Sequence, residues 1–343
     1  CDISINKTYL CYIMLSSFVQ EQFQDKTHQV AMPKLALERI LSTLIPIAPI
    51  KEQIAIARSI ENDLKLVDKI DRSKDELEIA ISKTKLKILD LAIRGKLVSQ
   101  DPNDEPASVF LERIRAKKEE LIKQGKIKRD KKESIIFKGE DNSYYETING
   151  QTKCIDDDIS FELPDNWNWA RLSHIVQIIN GDRGQNYPAK NKLQKNGIPF
   201  VSASNIYLGK VSSNDLLCMT DEQYDALSTG KLVSGDIVYC IRGSLGKCGI
   251  FTMKKGAIAS SLVIVRPIIA DSTITQYIYN YLNSDLSKVE ITKYDNGSAQ
   301  PNLAAKDFMR FLVPIPPSNE QNEINNSLQK IYSYINYIET ALL

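Results

Sequence analysis

Leu44-Ile45-Pro46-Ile47-Ala48-Pro49, with Glu52-Gln53 close behind it, returns later in the chain as Leu312-Val313-Pro314-Ile315-Pro316-Pro317 followed by Glu320-Gln321. The offset from Leu44 to Leu312 is 268 residues, and it holds without a gap for Ala31-Met32-Pro33-Lys34-Leu35-Ala36 against Ala299-Gln300-Pro301-Asn302-Leu303-Ala304. Tyr9 falls on Tyr277 and Ser16 on Ser284 in the same register, inside stretches that both read as helical. Self-similarity at a constant offset marks a repeated structural unit. The chain therefore reads as the end of one module followed by a complete second copy.

Each Glu-Gln pair opens a heptad. In the second copy Ile324, Leu328, Ile331, Ile335, Ile338 and Leu342 alternate four and three residues apart, the seam of a coiled coil. In the first copy Ile56, Ile60, Val67, Ile70, Leu77, Ile81, Ile88 and Leu91 keep that frame, with Asp63, Lys74 and Thr84 as polar interruptions. The two seams are expected to meet. Ser318 and Gln321 fit the Ser-x-x-Gln pattern of a helix start. A helix from Lys51 to Gly95 would be roughly 68 Å long at 1.5 Å per residue, a spacer as much as a core element.

Between the helices the texture changes. Gly95 to Pro106 is polar and turn-rich, Ala107 to Gln124 reads as a helix, and residues 126 to 159 read as an extended linker. Arg113 to Lys132 carries ten Lys or Arg against three acids, whereas Glu133 to Asp165 carries nine acids against two lysines. Such a basic run either tracks phosphates or forms a solvated helix face. From Ser160 to Pro317 short apolar runs such as Ile198-Pro199-Phe200-Val201, Ile237-Val238-Tyr239-Cys240-Ile241 and Leu262-Val263-Ile264-Val265 are separated by Gly, Asn, Asp and Ser, the pattern of a mixed α/β globule. A short helix is expected near Thr220 to Leu227, opened by the capping pair Thr220 and Gln223, and another near Ile274 to Glu290.

The 343 residues, 43% apolar and 25% charged, suit a soluble chain of two or three domains and argue against collagen, disorder or a disulfide scaffold. The longest apolar stretch, Leu41 to Ile50, is interrupted by Pro46 and Pro49 and is far shorter than the roughly 20 residues a membrane helix requires. The chain starts at Cys1 with no basic-then-apolar leader, so its start reads as a fragment boundary. Six scattered cysteines without a Cys-x-x-Cys pair indicate reduced thiols in a cytoplasm rather than zinc or disulfides. His28 and His174 are the only histidines and read as structural. No dinucleotide fingerprint, phosphate loop, Asp/Asn-Pro-Pro-aromatic motif or Glu-x-Lys nuclease half-motif occurs. The sequence reads as non-catalytic, with no metal and no cofactor of its own.

Glu162-Leu163-Pro164-Asp165-Asn166-Trp167-Asn168-Trp169-Ala170-Arg171-Leu172 resembles the opening of a target recognition domain in the specificity subunit of type I restriction-modification systems. Ile198-Pro199-Phe200-Val201 with Asn205-Ile206, Gly235-Asp236-Ile237-Val238 with Gly243-Ser244-Leu245-Gly246, Asn296-Gly297-Ser298-Ala299-Gln300, and Gly95-Lys96-Leu97-Val98 with Asp104-Glu105-Pro106-Ala107 follow in the order that family shows. The resemblance covers nearly the whole chain, with one departure: the first recognition domain survives only as residues 1 to 50. It implies an α+β fold, a mixed α/β target recognition domain flanked by long antiparallel coiled-coil helices. It also implies a division into a remnant of the first recognition domain (1–50), a central long helix (51–97), a helix and charged linker (98–159), the second recognition domain (160–317) and a C-terminal helix (318–343).

In function, the resemblance implies a non-catalytic subunit that reads one half of a bipartite site in double-stranded DNA. Partner methyltransferase subunits would dock on the long helices and carry S-adenosylmethionine, and partner translocase-endonuclease subunits would cleave. Base edges are read by Arg, Asn, Gln, Ser and Thr on loops that reach the major groove. That criterion selects Arg183, Gln185, Asn186 and Tyr187 in one loop, Ser202, Ser204 and Asn205 in a turn, and Arg242 and Ser244 at a strand end. The competing reading of these residues is plain turn chemistry. Trp167 and Trp169 read as core anchors and Gly243 to Gly246 as a hairpin turn. Rival readings of the whole chain are a half-subunit that dimerises head to tail, the specificity region of a fused restriction-methyltransferase enzyme, and a coiled-coil scaffold without DNA binding.

Overall fold

A computed structural model describes residues 5–24, 37–129, 133–294 and 302–342. The Ala31–Ala36 and Ala299–Pro301 portions of the repeat, the motif at 296–300 and His28 lie outside the described residues. The chain divides into two compact units with the boundary between Ala80 and Ile81.

The first unit contains α1 (Lys7–Leu15), α2 (Ser17–Gln24), α3 (Leu37–Leu41) and the beginning of α4 (Ile50–Ile93). Asn6 caps α1 by accepting from the Tyr9 backbone N–H. Tyr9 Oη then donates to the Pro46 carbonyl at 3.2 Å, and Gln53 Nε2 donates to the Ala48 carbonyl at 2.7 Å. These bonds tie α1, the proline-rich strand-like segment and the start of α4 into one knot.

The second unit continues with α5 (Ala107–Lys123), a meander of β1 (Ser134–Lys138), β2 (Tyr144–Ile148) and β3 (Gln151–Cys154), then β4 (Asn168–Arg171), α6 (Leu172–Ile175), β5 (Val176–Asn180), β6 (Ile198–Val201), β7 (Ile206–Tyr207), β8 (Lys210–Val211), β9 (Cys218–Met219) and α7 (Asp221–Ala226). After these come β10 (Lys231–Val233), β11 (Ile237–Cys240), β12 (Cys248–Ile250), β13 (Lys255–Ile258), β14 (Leu262–Pro267), α8 (Ser272–Leu282), α9 (Asp285–Tyr294), α10 (Ala305–Phe308), β15 (Leu312–Ile315) and α11 (Ser318–Ala341). A six-stranded sheet runs β5-β14-β11-β12-β8-β7, a four-stranded sheet runs β10-β13-β6-β9, and β15 pairs with β4.

The central strands β11 and β14 of the six-stranded sheet are buried on both faces, which is why they read as unbroken apolar runs rather than alternating ones. In β11 and β14, Ile237, Tyr239, Val263 and Val265 enter the main core with α8 and α11. Their neighbours Val238, Cys240, Leu262 and Ile264 enter a second cluster with Phe251 and Leu232. Trp167 and Trp169 are buried in the main core, as expected of anchors. The capping pair Thr220 and Gln223 forms a reciprocal box at the start of α7. The pair Ser318 and Gln321 does not: Ser318 is the first residue of α11, and Gln321 Nε2 turns back to the Pro316 carbonyl at 2.9 Å.

The repeat is written into the hydrogen bonds. Tyr277 Oη donates to Pro314 O at 2.7 Å where Tyr9 donates to Pro46, and Gln321 donates to Pro316 where Gln53 donates to Ala48. Ser284 Oγ donates to Tyr281 O at 2.7 Å where Ser16 Oγ donates to Ile13 O at 2.6 Å. One pair breaks the symmetry. Glu320 is buried and accepts from Trp167 Nε1 at 2.7 Å and Gln100 Nε2 at 2.6 Å, whereas Glu52 is exposed.

Burial pushes the Glu320 carboxyl up, with the Trp167 and Gln100 hydrogen bonds pulling the other way, and the balance lies above its ordinary value of 4.5. The folded state thus binds the proton more tightly than the unfolded one. The stability linked to Glu320 is fully present below 4.5 and is lost as pH rises through the folded value. Glu320→Ala leaves the Trp167 indole N–H without its acceptor and is expected to cost about 1–3 kcal/mol in denaturant melts. Glu320→Gln keeps one acceptor for the Trp167 indole but turns an NH2 toward Gln100, so it should lose the pH dependence together with one hydrogen bond.

The long helix forms with 44 residues, about 66 Å at 1.5 Å per residue. Within the second unit its last turns run antiparallel to α11: Lys85 pairs with Glu339 at 2.7 Å, and Ile81, Leu89 and Ile93 are buried, as are Ile324, Leu328 and Ile335. The expectation that both seams meet along their length is realised only there. Ile56, Val67, Ile70 and Leu77 are exposed.

The stretch at 126–159, read from sequence as a linker, folds for the most part into the β1–β3 meander. In the basic run at 113–132, Arg113 pairs with Glu105, Lys117 with Glu120 and Arg129 with Glu119, so nearby acids meet part of its charge. Among the described residues no helix is long and apolar enough to cross a membrane.

Candidate nucleic-acid interface

Four strands of the second unit, β5, β6, β11 and β13, deliver their C-terminal ends to one rim. Ala259 N donates to Val201 O at 2.8 Å and Ile241 N to Ser261 O at 3.1 Å, stitching the segment after β13 to the ends of β6 and β11. Gly181, just after β5, lies so close that a Cβ there would sit 2.7 Å from the Ala259 carbonyl oxygen. The loops 181–187, 202–205 and 241–247 therefore emerge side by side, and they carry all nine residues selected from the sequence.

Most of those nine have internal partners. Arg183 donates to Ser260 O at 3.2 Å, and the Tyr187 hydroxyl accepts from Ser260 N–H while its ring meets Phe200 edge-on. Asn186 Nδ2 donates to Ala226 O at 2.9 Å. Ser202 and Asn205 form a reciprocal capping box around a single 3₁₀ turn, and the Ser202 hydroxyl also shares a 2.8 Å bond with that of Ser204. Arg242 Nε donates to Asn302 Oδ1 at 3.1 Å. Gln185 and Ser244 are exposed, with no side-chain hydrogen bond among the described residues.

Turn chemistry shapes the third of these loops. Gly243 and Gly246 have positive φ, 75° and 84°, as the β11–β12 hairpin demands.

Sequence reasoning missed the residues that hold the rim in shape. Asp182 is buried: one oxygen accepts from Gly184 N–H at 2.7 Å, the other from Ser228 N–H and Oγ, both at 2.8 Å. The Gly184 N–H, with Ser228 behind it, holds the Asp182 carboxyl below the usual carboxylate range. Lys247 Nζ donates to Ala203 O at 2.9 Å and joins the hairpin to the 3₁₀ turn. Asp182 stood in plain view in the loop, but nothing local pointed to Ser228 as its partner.

A cavity of ≈ 390 Å³ opens on this rim beside Tyr187, Ser204 and Asn205. His174 lies elsewhere, accepting from Ser134 N–H at 3.2 Å next to the meander. Among the described residues no group of three His, Cys, Asp or Glu is placed to hold a metal.

Residues 164–343 match the family described as the type I restriction modification DNA specificity domain. The chain is similar to the specificity subunit of the Escherichia coli type I restriction enzyme EcoEI, 29% identical over 77% of this chain and 41% of that protein. It is also similar to that of EcoAI from Escherichia coli, 28% identical over 76% of this chain and 41% of that protein. Among solved structures, the HsdS subunit from Thermoanaerobacter tengcongensis superposes with a TM-score of 0.53 at 18% identity, over 98% of this chain and 65% of that one. The chain thus spans about two-fifths of the length of these curated relatives.

Proposed function

Because the chain belongs to the type I restriction modification DNA specificity family, we propose that it reads one half of a bipartite sequence in double-stranded DNA and makes no bond itself. Methyltransferase subunits that bear S-adenosylmethionine, and translocase-endonuclease subunits, supply the chemistry in the cytoplasm. The observation that carries this reading is the convergence of three polar loops on one rim of the second unit, braced from below by Asp182, Lys247 and Asn302. Side chains held in one geometry before contact lose little entropy on binding, which suits discrimination among base edges. Gln185 and Ser244 have their hydrogen-bonding capacity free for a base, and Arg183, Asn186 and Arg242 have further N–H donors beyond those already engaged.

The long helix supports the other half of the proposal. Leu64, Leu66, Val67, Ile70 and Ile79 are exposed on α4, an apolar surface suited to a partner subunit. In a full subunit this rod sets the distance between two recognition domains and hence the base pairs between half-sites. The exposed seam residues Val67 and Ile70 favour a second arrangement, in which two chains pair seam to seam and rebuild a two-domain subunit. Light scattering on the purified chain separates the two.

The decisive experiment is co-expression of the full-length protein with its methyltransferase, followed by genome-wide mapping of modified adenines. A split motif with a fixed internal gap is the expected result. Modification without a sequence motif would overturn the proposal.

A further inference from the structure

We propose that Asp215 is a specificity-determining residue, whose carboxylate accepts a hydrogen bond from the exocyclic amino group of an adenine or cytosine in the half-site. This inference rests on the DNA-reading function proposed above and assigns a role to a residue outside the loops chosen from sequence.

Asp215 sits in the loop between β8 and β9, and that loop is pinned at both ends to the elements that carry the candidate base contacts. At its start Ser212 N–H donates to the Asn205 carbonyl at 2.8 Å; at its end the Leu217 carbonyl accepts from Phe200 N–H at 2.8 Å. Between these pins Asn214 N–H folds onto Ser212 Oγ at 3.1 Å, and Asp215 itself adopts the left-handed conformation at φ 54°. Aspartate tolerates that region better than most residues, yet it still costs energy relative to glycine. Strain held in place by a rigid surround is a recurring property of recognition sites.

The strain places a carboxylate on the wall of the ≈ 390 Å³ cavity, together with Tyr187, Ser204, Asn205 and Leu217. Asp215 is exposed, and its side chain has no hydrogen bond or ion pair among the described residues. An ionised aspartate is an acceptor only and repels phosphates, so next to DNA it is tolerated where it meets a donor. In the major groove the base donors are the amino groups of adenine N6 and cytosine N4. The neighbouring side chains complete the pattern. Asn205 uses its Oδ1 for the Ser202 N–H and hydroxyl, which leaves its amide N–H groups available, and the Ser204 hydroxyl stands beside them. An acceptor beside donors matches adenine, with its N6 amino group and N7, and equally a cytosine amino group beside the O6 of its paired guanine.

The test uses the full-length subunit in complex with its methyltransferase. Duplexes carrying the mapped half-site are prepared with purine replacing each adenine, or pyrimidin-2-one replacing each cytosine, one position at a time, so that a single amino group is removed. At one position the wild-type complex should bind about tenfold more weakly without the amino group, the scale of one good base contact. Asp215→Asn should lose about that much on the natural duplex, ignore the amino-group deletion at that position, and show a modified-adenine motif relaxed there alone. Asparagine accepts the same backbone conformation, so the variant keeps its loop. Whether the sensitive position responds to purine or to pyrimidin-2-one identifies the base. An Asp215→Asn complex with an unchanged motif and unchanged sensitivity at every position overturns the assignment, as does a uniform change of affinity on all duplexes. A wild-type complex with no sequence motif instead overturns the DNA-reading function itself, and the two failures are told apart by the wild-type arm.

Discussion

Arg171→Met should destabilise the second unit by about 3–5 kcal/mol, measured as a lowered denaturation midpoint. Arg171 and Glu146 are both buried and meet in a two-pronged pair, Nε to Oε1 at 3.0 Å and Nη2 to Oε2 at 2.7 Å, while Nη1 donates to Arg310 O at 2.9 Å. The pair joins β2 of the meander to β4, and β4 in turn pairs with β15. Removing the cation alone strands a buried carboxylate. Replacing both partners, Arg171→Met with Glu146→Leu, should restore most of the loss, because two apolar groups of similar volume carry no desolvation penalty. A double variant as unstable as the single one would show that shape, not charge, makes the contact.

The sign of the pH response separates the two variants. Burial pushes the Glu146 carboxyl up, but the Arg171 and Ser134 hydrogen bonds and the guanidinium charge outweigh it and leave it below 4.5. The wild-type pair therefore contributes stability above that value and loses it as pH falls through the lowered folded value. In Arg171→Met the buried carboxyl has no cation, so its folded value should rise and stability should fall as pH increases above 4.5. The double variant should show neither trend.

Phe308→Ala should cost a similar amount, about 3–5 kcal/mol. Phe308 is fully buried, stacks on Tyr239 at 4.4 Å between ring centroids and meets Phe311 edge-on at 5.1 Å. Truncation removes a ring from the middle of this aromatic group and leaves a cavity walled by side chains that cannot collapse into it. The effect should extend to the rim, since α10, which carries Phe308, follows the segment where Leu303 N–H bonds Ile241 O and Asn302 holds Arg242. Hydrogen exchange at residues 241–247 should accelerate in the variant. Phe308→Leu, which keeps most of the volume, should lose much less and leave that exchange unchanged.

All nine polar loop residues chosen from the sequence arrive on the same rim. Which of them have free hydrogen-bonding groups was not legible. Asn205 is occupied by Ser202, three residues away, but Arg183 is held from Ser260 and Arg242 from Asn302, about sixty to eighty residues away along the chain. Asp215 escaped notice for the converse reason: Ser-Ser-Asn-Asp looks like any turn until the loop is seen pinned over a cavity.

The repeat, the two helices and the apolar strand runs are legible in the chain alone, because each is a local pattern of apolar spacing and turn residues. The matched bonds of Tyr9 and Tyr277, of Gln53 and Gln321, and of Ser16 and Ser284 follow directly from that repeat. Contacts between distant segments set the rest: Glu320 is enclosed while Glu52 is open, Ile81 is buried while Val67 is exposed, and the charged stretch near 134–154 becomes a sheet. Each of these outcomes depends on whether a distant segment lies across a residue. Apolar periodicity states that a side chain requires cover; the fold alone determines which surface, if any, supplies it.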